Sequence, residues 1–254
     1  MGGSPRTCFI QVKTGVETAM KLKYMVLLFI ICISSAFLVS SSLFQIKAIA
    51  VSGNKSVATE EIIRLSSIYY GENIFRINKK SSMKSIFQSP YVKMINIKRH
   101  LPNKVEIDII ERDVMAVVPY LGSYLNIDED GMIIQIDQLI KKREVPVLKG
   151  LKFSTFKIGE FLNIENKAQL GVTINVIKEM KNAGLIGQLD EIDVTDIQNI
   201  KLKTKGGINV SLGSEDNLNY KVGFMKTILE DVTKQKQKGT IELGNKGNPI
   251  FKPE

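Results

Sequence analysis

A single histidine, His100, sets the first limit on chemistry. Metal centres that need two imidazoles are excluded, and a Ser-His-Asp hydrolase would have to use that one residue. His100 sits beside Arg99 at the end of a basic stretch, where it reads as an exposed turn position with a surface role. Two cysteines, Cys8 and Cys32, supply neither a disulfide scaffold nor a four-cysteine zinc site. Asp128-Glu129-Asp130-Gly131 gathers carboxylates but lacks the alternating oxygen ligands and distal glutamate of a calcium loop, so it reads as a hairpin turn. The other acids are scattered. Two carboxylates need only meet in space to form a glycosidase pair, which leaves a cell-wall enzyme open at this point. The chain has no G-x-S-x-G, Walker loop, H-E-x-x-H or G-x-G-x-x-G. The expectation is a non-enzyme, without catalytic residues, cofactor or metal.

Charge is the second clue. Lys+Arg 35 against Asp+Glu 26 gives a net +9. Such a balance suits nucleic acid, anionic lipid or an acidic polymer. Nucleic acid is disfavoured because basic residues interleave with acids, aromatics are only 7% and Trp is absent. Lipid head groups or wall polymers remain as anionic contacts. With 44% hydrophobic and 24% charged residues over 254 positions, the chain has the composition of folded domains.

The element that positions everything else lies near the start. From Tyr24 to Ile46 no residue is charged. About 20 helical residues at ~1.5 Å each cross the ~30 Å hydrocarbon layer, so residues 24–46 are expected to be a transmembrane helix. Arg6, Lys13, Lys21 and Lys23 precede it against one acid, Glu17. Basic flanks stay in the cytoplasm. This predicts a single-pass cell-membrane protein, N-terminus inside, with a cytoplasmic tail over 1–23 and about 200 residues outside. Ala48-Ile49-Ala50 is an A-x-A pattern that a signal peptidase could read. The apolar stretch exceeds a signal core, however, and cleavage there would cut into a strand. Residues 1–19 read as a poorly structured tail, and Met20 is a second candidate start. The exported part has no cysteine, so its stability must come from packing.

A first outer module is expected over 47–112. Ile49 and Val51 mark a strand and Gly53-Asn54 a turn. Thr59 caps a helix whose buried side is Ile62, Ile63 and Leu65. Ser81 or Ser82 caps a second, with Met83, Ile86 and Phe87 on one face, and Pro90 stops it. Ile95 and Ile97, then Val105, Ile107 and Ile109, alternate with polar residues across a turn at Leu101-Pro102-Asn103. The order is β-α-α-β-β.

A second module is expected over 113–252, with a two-residue tail at 253–254. It reads as strands over 114–118, 124–127, 132–136 and 145–150, a helix over 165–183 with a Leu170-Ile174-Ile177 stripe, and three further strands through Leu212. A helix with Leu218, Val222, Met225, Leu229 and Val232 follows. Thr240 to Leu243 and Pro249 to Lys252 are two short terminal strands. The fold class is α+β: one transmembrane helix, then the β-α-α-β-β module, then a mixed α/β module ending in short strands.

The ordered set Phe44-x-Ile46-x-x-Ile49-x-Val51-x-Gly53-Asn54, Gly71-x-Asn73-Ile74-Phe75, Pro90-Tyr91-Val92, Leu101-Pro102-Asn103-x-Val105-x-Ile107 and Glu111-Arg112 resembles the POTRA module of the FtsQ/DivIB cell-division proteins. The resemblance continues more loosely over 112–252, where Gly-x-Ile-Glu-Leu at 239–243 matches the segment closing the family's outer β domain. An arginine common after that leucine is Gly244 here.

The resemblance implies a divisome scaffold at the septum. Such a scaffold would hold FtsL-like and DivIC/FtsB-like bitopic coiled-coil proteins and help control septal peptidoglycan synthesis. Short open strands invite strand addition. Ile241, Leu243, Ile250 and Phe251 are the expected partner contacts, with residues 51–54 secondary. The alternatives are a POTRA-bearing component of an export or sporulation channel, and a membrane-anchored cell-wall enzyme.

Overall fold

The computed structural model describes residues 21–34, 41–138, 144–244 and 249–254. These form two compact units. One takes the described residues up to Ser52, with Thr59–Met83 and Asn96–Asp108; the other takes Gly53–Ala58, Lys84–Ile95 and Ile109–Glu254.

The first unit begins with helix α1 (residues 21–34), whose apolar side chains are exposed along its whole length. Among the described residues, no helix is long and apolar enough to cross a membrane. Of the expected span, residues 35–40 lie outside the described residues, as does most of the tail. The end of that span is built differently from the expectation. A 3₁₀ turn covers Ser42–Phe44, the Phe44 ring lies 5.1 Å from Phe75, and Ile46 is buried. Their apolar character serves the folded module.

Strand β1 (Ala48–Ser52), helices α2 (Thr59–Ser66) and α3 (Lys79–Ile86), and strands β2 (Val92–His100) and β3 (Lys104–Glu111) follow in the expected β-α-α-β-β order. The three strands make one sheet in the order β1-β3-β2, with β1 parallel to β3 from Ala48↔Lys104 to Ser52↔Asp108. Period-2 alternation buries Ile97, Val105 and Ile107 on one face of the sheet, and Ile62 and Ile74 are buried as well. On the outer face Lys98 pairs with Asp108 at 2.8 Å and His100 with Glu106 at 2.5 Å. The neighbouring Arg99 donates to the Ile77 carbonyl. Helix α3 starts earlier than Ser81 or Ser82 would have it: the Asn78 carboxamide accepts from Ser81 N–H, and Ser82 is buried inside the helix. Asn-Lys-Lys-Ser-Ser offers several caps, and the asparagine comes first. Ile62 and Ile86 are the buried apolar residues of the two helices; Ile63, Leu65 and Met83 are half-buried and Phe87 is exposed.

In the second unit, Gly53 turns the chain at φ +82, and a Cβ there would lie 2.0 Å from the Ile109 carbonyl oxygen. Glu111 fixes the next residues by accepting the N–H groups of Lys55, Ser56 and Val57 at 2.8–3.0 Å. Burial pushes its pKa up, and those N–H groups outweigh burial and hold it below the usual carboxylate value.

Nine strands form the large sheet: β4 (Ala116–Tyr120), β5 (Ser123–Ile127), β6 (Ile133–Asp137), β7 (Val147–Lys149), β8 (Leu189–Asp193), β9 (Ile200–Thr204), β10 (Asn209–Gly213), β11 (Gly239–Glu242) and β12 (Ile250–Pro253). Their order is β12-β11-β10-β9-β8-β7-β4-β5-β6. Helices α4 (Lys167–Asn182) and α5 (Leu218–Lys234) share a single apolar core with the strands. Asn166 caps α4, accepting from Ala168 and Gln169 N–H. The buried stripe of α4 is Val172, Val176, Ile177 and Met180, so Leu170 and Ile174, expected at its centre, sit at its half-buried margin. The α5 stripe is buried as its spacing predicts, at Leu218, Val222, Met225, Leu229 and Val232.

The acidic turn does structural work. Asp128, 2% exposed, accepts Asp130 and Met132 N–H and takes Arg112 at 2.5 Å. Glu129 pairs with Lys181 and Lys93, and Asp130 with Lys178 and Lys93. Among the described residues, no His, Cys, Asp and Glu side chains group as a metal site.

Candidate functional site

A sheet of nine strands has two ends, and they differ. At one end β6 is covered where it begins. Ile133 N–H donates to the Glu160 carbonyl at 3.0 Å, Gly159 N–H donates to the Ile133 carbonyl at 2.8 Å, and Met132 bridges Phe161. A strand could not dock there without displacing that segment. At the other end β12 pairs antiparallel with β11, Thr240 opposite Lys252 and Ile241 opposite Phe251. No described strand lies on its far side.

The register says which groups are free. Glu254 N–H donates to the Lys238 carbonyl at 3.1 Å, so even-numbered residues of β12 bond inward to β11. Leu243 N–H donates to Ser211 on β10 at 2.8 Å, the parity required of β11. The odd positions of β12, Phe251 and Pro253, therefore turn their backbone groups outward. Pro253 has no N–H to offer, which suits an edge strand. Phe251 is left with the one outward N–H in β12, and its carbonyl beside it.

The four residues expected to touch a partner separate here. Ile241 is 0% and Leu243 3% exposed; both belong to the core, and their side chains close the sheet under α5. Phe251 is half-buried against that core. Ile250 is 51% exposed. It shares the solvent face with Lys252, whose Nζ reaches Glu242 at 2.8 Å. Residues 245–248 lie outside the described residues. Of the secondary positions, Gly53 and Asn54 are committed to the turn: Gly53 lies against Ile109 and Asn54 Nδ2 donates to the Val57 carbonyl.

Two residues that sequence reasoning missed stand alongside. Tyr220 and Phe224 are exposed on α5 with ring centroids 4.6 Å apart. Tyr220 lines a cleft of about 550 Å³ with Asp216, Asn217, Lys221, Leu243 and Pro249. The sign was in the spacing: an aromatic i, i+4 pair off the buried stripe. Lys221 at the floor of the cleft is buried and donates to the Ser214 carbonyl at 2.8 Å; burial lowers its pKa.

The profile of the FtsQ-type POTRA domain matches residues 44–112. Beyond that module, the cell division protein DivIB of Clostridium botulinum (strain Hall) is 28% identical over 234 residues, 91% of each chain. The chain thus carries an FtsQ-type POTRA domain and is similar along most of its length to DivIB and FtsQ cell-division proteins. DivIB of Clostridium acetobutylicum is 26% identical over 221 residues, covering 87% of this chain and 88% of that one. FtsQ of Corynebacterium glutamicum is 24% identical over 188 residues, covering 74% and 80%. Each of these relatives is a cell division protein, which supports a place for this chain in the division machinery. The family's POTRA module is the β-α-α-β-β unit expected from the motifs, and its Glu111-Arg112 pair has a physical use: one side chain ties the 55–57 backbone and the other neutralises buried Asp128.

Proposed function

We propose that this chain is a bitopic membrane scaffold of the divisome. It is anchored by its N-terminal apolar segment with the bulk of the chain outside, and it holds FtsL-like and DivIC/FtsB-like proteins at the septum. Through them it helps control septal peptidoglycan synthesis, and it performs no catalysis itself. The observation that carries this reading is the asymmetry of the large sheet: β6 is covered where it begins, while β12 presents the Phe251 N–H and carbonyl to an added strand. Exposed Ile250 and the Tyr220–Phe224 pair supply side-chain contacts beside that edge. Ile241 and Leu243 contribute by holding β11 in place. Exposure of every apolar side chain on α1 supports the anchor, since the described protein gives them no cover.

The test is capture of the cell's own FtsL- and DivIC/FtsB-type proteins by the full chain and by a chain lacking 249–254, both purified from membranes. Loss of both partners on deletion, with circular dichroism preserved, is the expected result. Undiminished capture would sink the docking edge.

A further inference from the structure

We propose that residues 69–80, the loop between α2 and α3 and the start of α3, rest on an anionic bilayer surface beside the membrane anchor. The inference depends on the anchor of the proposed function and concerns residues other than those of the β12 edge.

The loop is stitched to the incoming chain. Gln45 bridges Asn73, and Ile46 N–H donates to the Glu72 carbonyl at 2.9 Å. Gly71 N–H donates to the Ile46 carbonyl and Ile74 N–H to the Phe44 carbonyl, each at 2.9 Å. Ile46 is also the last residue of the stretch that carries no charge. The loop is therefore held at the foot of the anchor, within reach of the head groups.

Its side chains suit that place. Tyr69 is 65% and Tyr70 60% exposed, and Phe75 is exposed as well. Adjacent exposed aromatics are a poor surface for water but fit the bilayer interface, where a ring takes the apolar side and a hydroxyl the wet side. Arg76 and Lys80 are exposed and Lys79 is half-buried, against one acid, Glu72, in the whole segment. Ion pairs of this unit form elsewhere, at Glu61–Arg64 and Lys98–Asp108.

The wider charge distribution favours lipid over a protein partner. Residues 44–112 hold 12 Lys and Arg against 6 Asp and Glu, while residues 113–254 hold 19 of each. The positive charge beyond the anchor is thus confined to the module that follows it directly. Lipid head groups reward that arrangement through a field that fades within about 10 Å.

Hydrogen exchange of the full chain, reconstituted in nanodiscs of phosphatidylcholine or of phosphatidylcholine with phosphatidylglycerol, tests this. Peptides covering 69–80 should exchange more slowly in the anionic discs, by about fivefold for each cation that reaches the surface. Peptides from α4 should not differ between the two lipids. The triple variant Arg76→Glu, Lys79→Glu, Lys80→Glu should lose the lipid dependence, and Tyr69→Ser with Tyr70→Ser should speed exchange in both discs. Equal exchange of the unaltered chain in the two lipids overturns the inference alone. So does slowing that survives the charge reversal, or slowing that needs an added protein partner. A chain that does not remain with the discs overturns the anchor, and this inference with it.

Discussion

Phe251 allows the backbone of the docking edge to be tested apart from its side chain. Phe251→Ala and Phe251→Pro both remove the half-buried ring, and only the proline removes the outward N–H. The inward ladder to β11 runs through the even positions, so proline deletes no bond of the folded protein. Losing part of a buried ring costs stability in both variants, about 1–2 kcal/mol. The difference between them in partner affinity should be one edge hydrogen bond plus the carbonyl it leaves unpaired, about 1–3 kcal/mol, or roughly five- to 150-fold in Kd. The assay is equilibrium binding of a labelled outer segment of the DivIC/FtsB-type partner to each full-length variant. Circular dichroism and thermal melting serve as controls. Equal affinities of the alanine and proline variants, at equal melting temperatures, would refute strand addition at β12.

Three further outcomes follow from the packing. At Gly239 φ is +154 and a Cβ would lie 2.2 Å from the Lys252 carbonyl oxygen, so Gly239→Ala should lift β12 from β11. It should cost about 2 kcal/mol and reduce partner capture as strongly as deleting 249–254; wild-type capture would contradict this. Arg112→Ala strands the buried Asp128 carboxylate, and the melting temperature should fall by about 10 °C, from about 3–5 kcal/mol of lost stability. Lys181 and Lys93 hold the Glu129 pKa below the ordinary carboxylate value, and Lys178, outweighing burial, does the same for Asp130. Carboxylates depressed in the folded state stabilise above their ordinary pKa, and that stability disappears as pH falls through the folded value. Urea midpoints should fall between about pH 5 and pH 3, and less steeply in Glu129→Gln; parallel pH profiles would argue against these pairs.

Much of the fold was legible because one face of each element is covered. Alternation across Ile95, Ile97, Val105, Ile107 and Ile109 gave the β2–β3 hairpin, and the α5 spacing gave its buried stripe. What period cannot reveal is which face is covered at a short terminal strand. Ile241 and Leu243 share the core face, which their spacing alone does not identify. Strand neighbours were equally hidden. β7 lies between β4 and β8, and β11 runs parallel to β10, through contacts far apart in sequence. The acidic run was read correctly as a turn, but Arg112–Asp128 escaped notice because a turn motif does not name a partner sixteen residues earlier. Phe44 and Ile46 were read as anchor because apolar character alone does not distinguish lipid from core.

The claim that a partner strand joins β12 is tested most directly by photo-crosslinking in living cells. A photoreactive residue at position 250 samples the open edge, and one at 135 samples β6 at the opposite end of the sheet. The account predicts a crosslink from 250 to a small bitopic division protein and none from 135. A partner captured from 135 with nothing from 250 would contradict it.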